Sequence, residues 1–189
     1  MIFGSQGSLT PDQRDEILAD LAKLYYHTSG SITAGLRKTA EELNAILLER
    51  NRQLGANRQV VAYLGQIVLR EDRLTIAQSG PLHGLFVSSD GVTHIYDPEN
   101  SGTGLGLART ALMSFAQVTL KTNDTLILTE NLPAEWTSTV LTATHGQGPE
   151  SLRRKLFQQT RGDLSALALQ AKPGKGKFLF LRPGARQVA

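Results

Sequence analysis

The sequence predicts an α+β domain, an antiparallel β-sandwich flanked by helices. Apolar residues first recur three or four positions apart over two long segments, which is helical spacing. They then fall into short β-rich runs that are separated by turn residues, and helical spacing returns before the final strands. This order, with helices before and after a run of strands, is typical of a domain in which helices pack outside antiparallel sheets.

Length and composition fit one ordinary domain. The chain has 189 residues, of which 40% are hydrophobic and 20% are charged. It has no cysteine, so disulfides, thiol nucleophiles and cysteine-bound metals are excluded. No apolar run approaches the roughly 20 residues of a membrane span, and the first residues lack the pattern of a signal peptide. We therefore expect a cytoplasmic protein with no membrane span.

A basic segment follows the predicted domain. The chain carries five lysines and arginines and no acidic residue from Lys172 onward, whereas the rest of it is slightly acidic. We predict a single domain over residues 1–171 and a basic C-terminal extension over residues 172–189, with a last strand at residues 178–181. Basic segments can bind nucleic acid or anionic lipid. Because solvated termini are the commoner case, we expect no nucleic-acid partner.

The first two elements are predicted to be helices. Thr10 and Pro11 are typical of a helix start, as the cap and the first helical residue, and apolar spacing continues to residues 29–30. A second helix with the same spacing runs from about Ser31 to about Asn51.

The middle of the chain is predicted to form three hairpins, and the last third two helices and a strand. The second hairpin has the turn Ser89-Asp90-Gly91, in which the Asp-Gly pair favours a tight turn. The predicted hairpins join residues 59–69 to 73–77, 85–87 to 92–96 and 115–120 to 125–128, and the later helices and strand cover residues 134–141, 149–159 and 164–169.

Two groups of residues suggest binding chemistry but do not fit a known motif. Glycines 102, 104 and 106 give the spacing G-x-G-x-G instead of the dinucleotide fingerprint G-x-G-x-x-G, and no P-loop lysine follows. A flexible or tightly turned connection explains them. The four histidines show no metal-binding spacing, so surface or packing roles are favoured. The alternative is a zinc site that brings distant histidines together.

Three carboxylates lie at the ends of predicted strands, namely Asp124, Glu130 and Asp163. Carboxylates gathered at strand ends can hold Mg²⁺ or Mn²⁺, which prefer oxygen ligands. The alternative is that they are ordinary turn residues, and spacing alone favours this alternative.

Four stretches, taken in order, match the pattern of one enzyme family. They are ELNAILLERN, like a helix that ends in Ala-Asn; QVVAYLGQIVLREDRLTIAQSGP, like a strand pair that leads into Gly-Asp-Ser; NDTLILTENLP, like Gly-Asp-x-Leu-Leu-Leu-x-Ser-Asp-Gly; and GPESLRRKLFQQTRGDLSALAL, like a closing helix and an Asp-Asn-x-Thr strand. From about residue 32 to 171 the chain thereby resembles the metal-dependent protein phosphatases, the PPM or type 2C family.

The resemblance implies two antiparallel sheets between helix pairs, in α-β-β-α layers. It also implies a known chemistry, the hydrolysis of phosphoserine and phosphothreonine by two or more Mg²⁺ or Mn²⁺ ions that aspartates hold and that activate a water.

The chain departs from the family at the positions that the resemblance assigns to metal-binding aspartates. These positions hold Pro81, Glu130 and Gly162, and the early Asp-Gly-x-Gly-Gly motif has only residues 3–7 as a counterpart, without an acid. Asp163 falls beside the expected position, and a slip of one residue in a strand turns a side chain to the opposite face.

The resemblance therefore implies a catalytically inactive, phosphatase-like domain, a pseudophosphatase with a binding or regulatory role, no catalytic residue and no cofactor. The alternative is a divergent metal-dependent serine/threonine protein phosphatase, in which Glu130, Asp163 and Asp124 hold Mg²⁺ or Mn²⁺.

The chain is also predicted to be short at its N-terminal side. The family begins with strands before its first helix, whereas here the helix at Pro11 follows almost directly. Missing strands leave exposed sheet edges, which can pair with another chain. We therefore predict a homodimer or a protein partner at those edges.

Overall fold

The structure is a computed structural model that describes residues 2–6, 9–54, 58–101, 104–162 and 165–174. Within these ranges it has eight strands and five helices. The strands, in chain order, are β1 (Ile2–Gln6), β2 (Val61–Arg70), β3 (Arg73–Ser79), β4 (His83–Ser88), β5 (Gly91–Ile95), β6 (Ser114–Thr119), β7 (Thr125–Thr129) and β8 (Ala166–Gln170).

The strands form two four-stranded antiparallel sheets. The first sheet has the order β1-β2-β3-β6, and the second sheet has the order β5-β4-β7-β8. The helices are α1 (Pro11–His27), α2 (Ile32–Leu54), α3 (Pro98–Ser101), α4 (Ser138–Thr142) and α5 (Pro149–Gln158). The α+β class and the sandwich predicted from the sequence are confirmed.

Three apolar clusters hold the layers together in the order α-β-β-α. The first lies between helices α1 and α2 and the first sheet, the second between the two sheets, and the third between the second sheet and helices α4 and α5. Their central members are Leu21, Leu43, Leu47 and Leu64 in the first, Leu74, Ile76, Phe86 and Leu126 in the second, and Leu85, Ile127, Trp136 and Leu152 in the third.

Strand β7 is covered on both of its faces. All five of its residues are buried, with Leu126 and Leu128 facing the first sheet and Ile127 facing the helices. Burying one such side chain contributes about 1.5–3 kcal/mol. A strand with two apolar faces is stable only where both faces are covered, which the centre of a sandwich provides.

The predictions for the first helices and hairpins are confirmed. Helix α1 starts with a capping box, in which the Thr10 hydroxyl accepts from the Gln13 backbone and the Gln13 side chain accepts from the Thr10 backbone. The first two predicted hairpins are β2–β3 and β4–β5, and both are antiparallel pairs. Helix α5 and strand β8 also lie where they were predicted.

The third predicted hairpin is wrong. Strand β6 pairs with β3 in the first sheet, and β7 pairs with β4 and β8 in the second, so residues 121–124 cross between the sheets. The reason is burial. Strand β7 needs a neighbour on both sides and a cover on both faces, whereas the side chains of β6 are only half-buried or exposed.

Two further predictions need correction, and one lies outside the described residues. A strand does precede the first helix, because β1 pairs with β2 from Ile2 opposite Gly65 to Gln6 opposite Val61. The helix predicted at residues 134–141 is reduced to α4. The strand predicted at residues 178–181 lies outside the described residues. Within the described ranges, no helix is long and apolar enough to cross a membrane.

Candidate functional site

The segments that resemble the phosphatase motifs meet at one end of the sandwich, which we call the Glu130 end. The link from Gly80 to Leu82 joins β3 of the first sheet to β4 of the second. In the second sheet, His83 lies opposite Thr129, so Glu130, the residue after Thr129, lies at the same end of the sandwich as this link. Residues far apart in the sequence therefore converge here, as the resemblance implies.

Strand β1 brings the earliest of these segments to the same end. Gly4 lies opposite Tyr63 in β2, and the next pair along β2 is Leu64 with Ser79, the last residue of β3. Gly4, Tyr63 and Gly80 therefore lie in one row across the first sheet. This row carries no acidic residue.

Tyr63 fills the space at this end. Strand alternation directs Val60, Ala62 and Leu64 to the helices, where they join the first cluster, so the Tyr63 ring faces the second sheet. The residue is buried, with 8% of its surface exposed.

Two glycines make room for the Tyr63 ring. A Cβ atom on Gly80 would lie 2.4 Å from its Cδ1 atom, and one on Gly104 would lie 2.9 Å from its Cε1 atom. Both glycines have positive φ angles, +89° and +98°. The ring thus packs directly on both glycines. A side chain at Gly80 would displace the ring, whereas one at Gly104 would also meet the Ala62 carbonyl oxygen and Val61 Cγ1, both 2.8 Å from the added Cβ.

The Tyr63 phenol and the Glu130 carboxylate act on each other electrostatically. Burial raises the pKa of Tyr63, and the negative charge of Glu130 raises it further. The phenol therefore stays protonated at neutral pH. Glu130 itself is half-buried.

The Glu130 turn is fixed from beneath by Thr129. Its hydroxyl lies 2.9 Å from the Asn131 carbonyl oxygen and 3.0 Å from that of Ser165, close to both acceptors. Thr129 is completely buried, so these contacts are shielded from water. The strand end therefore holds Glu130 in a defined position next to the start of β8.

Asp124 does not reach the Glu130 end. It precedes β7 and Glu130 follows it, so about 20 Å separates them at the strand rise of roughly 3.3 Å per residue. Asp124 is buried, accepts from the Lys121 backbone N–H at 2.8 Å and lies 3.4 Å from His145 Nε2. The structure thus places it as a turn residue and does not bring it to Glu130, while Asp163 lies outside the described residues.

The glycine loop has a structural role. Within its described part, Leu105 forms a β-bridge with Ala62, and Gly106 donates its N–H to Asn44 Oδ1 at 2.8 Å. Asn51 Nδ2 donates to the carbonyls of Val60 and Gly106, both at 2.8 Å. The tightly turned connection is confirmed at these residues.

Sequence reasoning missed Tyr63, Asn44 and Asn51. The two asparagines lie seven positions apart, two helical turns, on the apolar face of α2, and a polar residue there indicates a specific buried hydrogen bond. Tyr63 gave no comparable indication, because an aromatic residue in a β-rich run is ordinary.

No family model and no curated protein matches the sequence. Solved structures do match. The chain is similar to PppA of Pseudomonas aeruginosa, described as a key regulatory component of T6SS, with a TM-score of 0.65 and 13% identity over 89% of this chain and 85% of that chain.

Two further similar structures are phosphatases. The serine/threonine phosphatase Stp1 of Staphylococcus aureus has a TM-score of 0.63 and 12% identity over 91% of this chain and 82% of its own. The catalytic domain of the serine/threonine phosphatase PstP, solved with two manganese ions, has a TM-score of 0.60 and 16% identity over 88% of this chain and 84% of its own. The chain therefore has the PPM phosphatase-like fold, and at these identities the likeness concerns the fold alone.

Proposed function

We propose that this chain is a catalytically inactive PPM phosphatase-like domain that acts by binding or regulation. The observation that carries the proposal is the Tyr63 ring at the Glu130 end. It is buried between the sheets where the motif-like segments converge, and it packs on Gly80 and Gly104.

The donor set at this end does not fit a two-metal centre. Such a centre needs several oxygen ligands, mostly carboxylates, around two ions about 3.5–4 Å apart. Of the positions assigned to metal aspartates by resemblance, Pro81 and Gly162 offer no carboxylate and Glu130 offers one, and residues 3–7, the counterpart of the early motif, contain no acid. In the described part of the chain, no three His, Asp or Glu side chains are grouped to hold a metal.

The chemistry of the two polar groups present supports the same conclusion. A neutral phenol is a poor partner for Mg²⁺ or Mn²⁺, and its raised pKa keeps the Tyr63 proton in place. Glu130 carries its carboxylate one methylene further from the backbone than aspartate does. We therefore assign no hydrolytic step to this end of the molecule.

A phosphatase assay of the full chain tests the proposal. Hydrolysis of p-nitrophenyl phosphate and of phosphoserine and phosphothreonine peptides is measured with Mn²⁺ and with Mg²⁺, and the PstP catalytic domain serves as the active control. We expect no metal-dependent turnover above buffer. Turnover that needs metal and disappears in Glu130→Ala would establish the divergent phosphatase instead.

We further propose that the binding role uses an edge of the second sheet, with β8 pairing to a second copy of this chain or to a partner protein. Among the strands that the structure describes, β8 lies at an edge of the second sheet, and its first three residues, Ala166, Leu167 and Ala168, have exposed side chains without charge. Exposed apolar edges without charged residues favour pairing with another strand.

Light scattering over micromolar concentrations tests the homodimer. We expect a dimer mass that falls to the monomer mass in Leu167→Lys, because a charge at an edge opposes pairing. Leu107→Lys is the matched control, since Leu107 is exposed to a similar degree, 40% against 36% for Leu167, but lies outside β8. A wild-type chain that stays monomeric at every concentration would reject the homodimer.

A further inference from the structure

Two histidines lie side by side on the outer face of the second sheet. His83 is in β4, and His94 is in the neighbouring β5, which is at the edge of the sheet among the described strands. His83 Nδ1 lies 3.0 Å from His94 Nε2. His83 is half-buried and His94 is exposed, so the pair is accessible from solvent.

The two rings are held in position by their surroundings. The β4–β5 hairpin fixes both backbones, with His94 opposite Leu85. The Tyr96 ring stacks on both imidazoles, with centroids 4.3 Å from His83 and 5.7 Å from His94. The imidazoles also stack on each other, with centroids 5.2 Å apart and planes 23° apart. These contacts therefore fix the positions of both rings.

We propose that His83 and His94 form a binding site for one divalent transition-metal ion of the class that prefers imidazole, with Zn²⁺ as the reference ion. Zinc binds imidazole nitrogen at about 2.0–2.1 Å, and tetrahedral geometry then sets two such nitrogens about 3.3–3.4 Å apart. The observed separation of 3.0 Å needs an adjustment of only a few tenths of an ångström.

The protonation state of the pair suits a metal ligand. A hydrogen bond between the two facing nitrogens requires that at least one ring is neutral, because an imidazolium has no acceptor nitrogen. Neutral imidazole is the form that binds metal. The ring that donates its proton across the contact changes to its other tautomer on binding, so that both facing nitrogens present lone pairs.

The site is open and lies at the Glu130 end of the second sheet, since His83 is opposite Thr129, but on the outer face of that sheet. Alternation along β4 puts His83 on the same face as Leu85 and Val87, which pack against the helices, whereas Tyr63 faces the space between the sheets. Since the described residues offer no third His, Asp or Glu ligand here, water completes the coordination. The inference does not depend on the proposed function.

Titration calorimetry with zinc chloride at pH 7.5 tests the site, using the full chain without an affinity tag. We expect one zinc ion per chain in the wild type. His83→Ala and His94→Ala should each weaken binding about 100-fold or more, since even changes outside the ligand shell cost about 10- to 100-fold. His27→Ala, an exposed histidine on α1, is the matched control and should bind zinc as the wild type does.

A second measurement covers variants that fold poorly. In ¹⁵N-resolved NMR of the wild-type histidine rings, zinc should shift His83 Nδ1 and His94 Nε2 and leave His27 and His145 unchanged. Absence of saturable zinc binding, wild-type affinity in the two alanine variants, or zinc shifts at His27 or His145 instead would each overturn the inference and leave the pair as a packing contact.

Discussion

Burial raises the pKa of the Tyr63 phenol, and the Glu130 carboxylate, at the end of a strand of the other sheet, raises it further. This pair stands where the resemblance to the phosphatases implies metal-binding aspartates. The site consists of an aromatic ring that packs on two glycines, with one carboxylate beside it. It therefore differs from a cluster of several carboxylates, which requires bound cations.

Tyr63 should ionise above the ordinary tyrosine value of about 10. Because its folded pKa is raised, its contribution to stability is present below pH 10 and is lost as pH rises through the folded pKa. Absorbance titration of the phenolates, compared with Tyr63→Phe, isolates this group. Glu130→Gln should lower the Tyr63 pKa only in part, since burial is the larger cause. An ordinary pKa for Tyr63 in the wild type would show that the ring is not buried.

Asn51 should contribute strongly to stability. Its side chain accepts from the Val60 N–H at 2.7 Å and donates to the carbonyls of Val60 and Gly106, in a site only 4% exposed. An unsatisfied buried polar group costs about 1–3 kcal/mol, so we expect Asn51→Ala to lose at least about 2 kcal/mol in urea unfolding. The exposed Asn131→Ala should change stability by about 0.5 kcal/mol or less. Equal stabilities of the two variants would contradict this role.

The layers and the local hairpins could be predicted from the sequence, but the partners of β6 and β7 could not. The hairpin turns β2–β3 and β4–β5 are set by residues adjacent in the chain, and the same is true of the Thr10 cap of α1. The choice of a partner for β7 depends on covering both of its apolar faces, which involves segments far apart in sequence.

The residues of the candidate site could likewise be predicted only in part. Glu130 was identified because it ends an apolar strand that resembles a family motif. Tyr63 could not be identified from the sequence, because its role depends on contacts with Gly80 and Gly104. The link between the sheets and the bridge at Leu105 bring these two glycines to the ring. Asp124 and Glu130 looked equivalent as strand-end carboxylates, although a strand separates its two ends by its whole length.

The His83 pair should make stability depend on pH below neutrality. Because the folded pKa of His83 is lowered, the unfolded chain takes up a proton first as pH falls below about 6.5. Its contribution is therefore fully present above that value and is lost as pH falls toward the folded pKa. In urea unfolding at pH 5–8, the slope of stability against pH should be smaller in His83→Gln than in the wild type. An unchanged slope in His83→Gln would contradict the lowered pKa.

Gly80→Ala should destabilise the protein by steric conflict with Tyr63 in addition to backbone strain. The new Cβ atom would lie 2.4 Å from Tyr63 Cδ1, and the φ angle of +89° is itself unfavourable for alanine. Strain in this left-handed region costs about 1–2 kcal/mol. Overpacking adds about 1–3 kcal/mol. We therefore expect a total loss of about 2–5 kcal/mol in urea unfolding.

Gly146→Ala separates these two contributions. Gly146 also has a positive φ, +75°, but no atom lies within 4 Å of its added Cβ, so only the strain should remain, about 1–2 kcal/mol. In a Tyr63→Ala background, Gly80→Ala should then cost only slightly more than Gly146→Ala, because the 2.4 Å contact is gone and only the 3.2 Å approach to the Cβ atom of residue 63 remains. If Gly80→Ala lowers the free energy of unfolding equally with and without the Tyr63 ring, the ring does not pack on Gly80 and does not fill the Glu130 end.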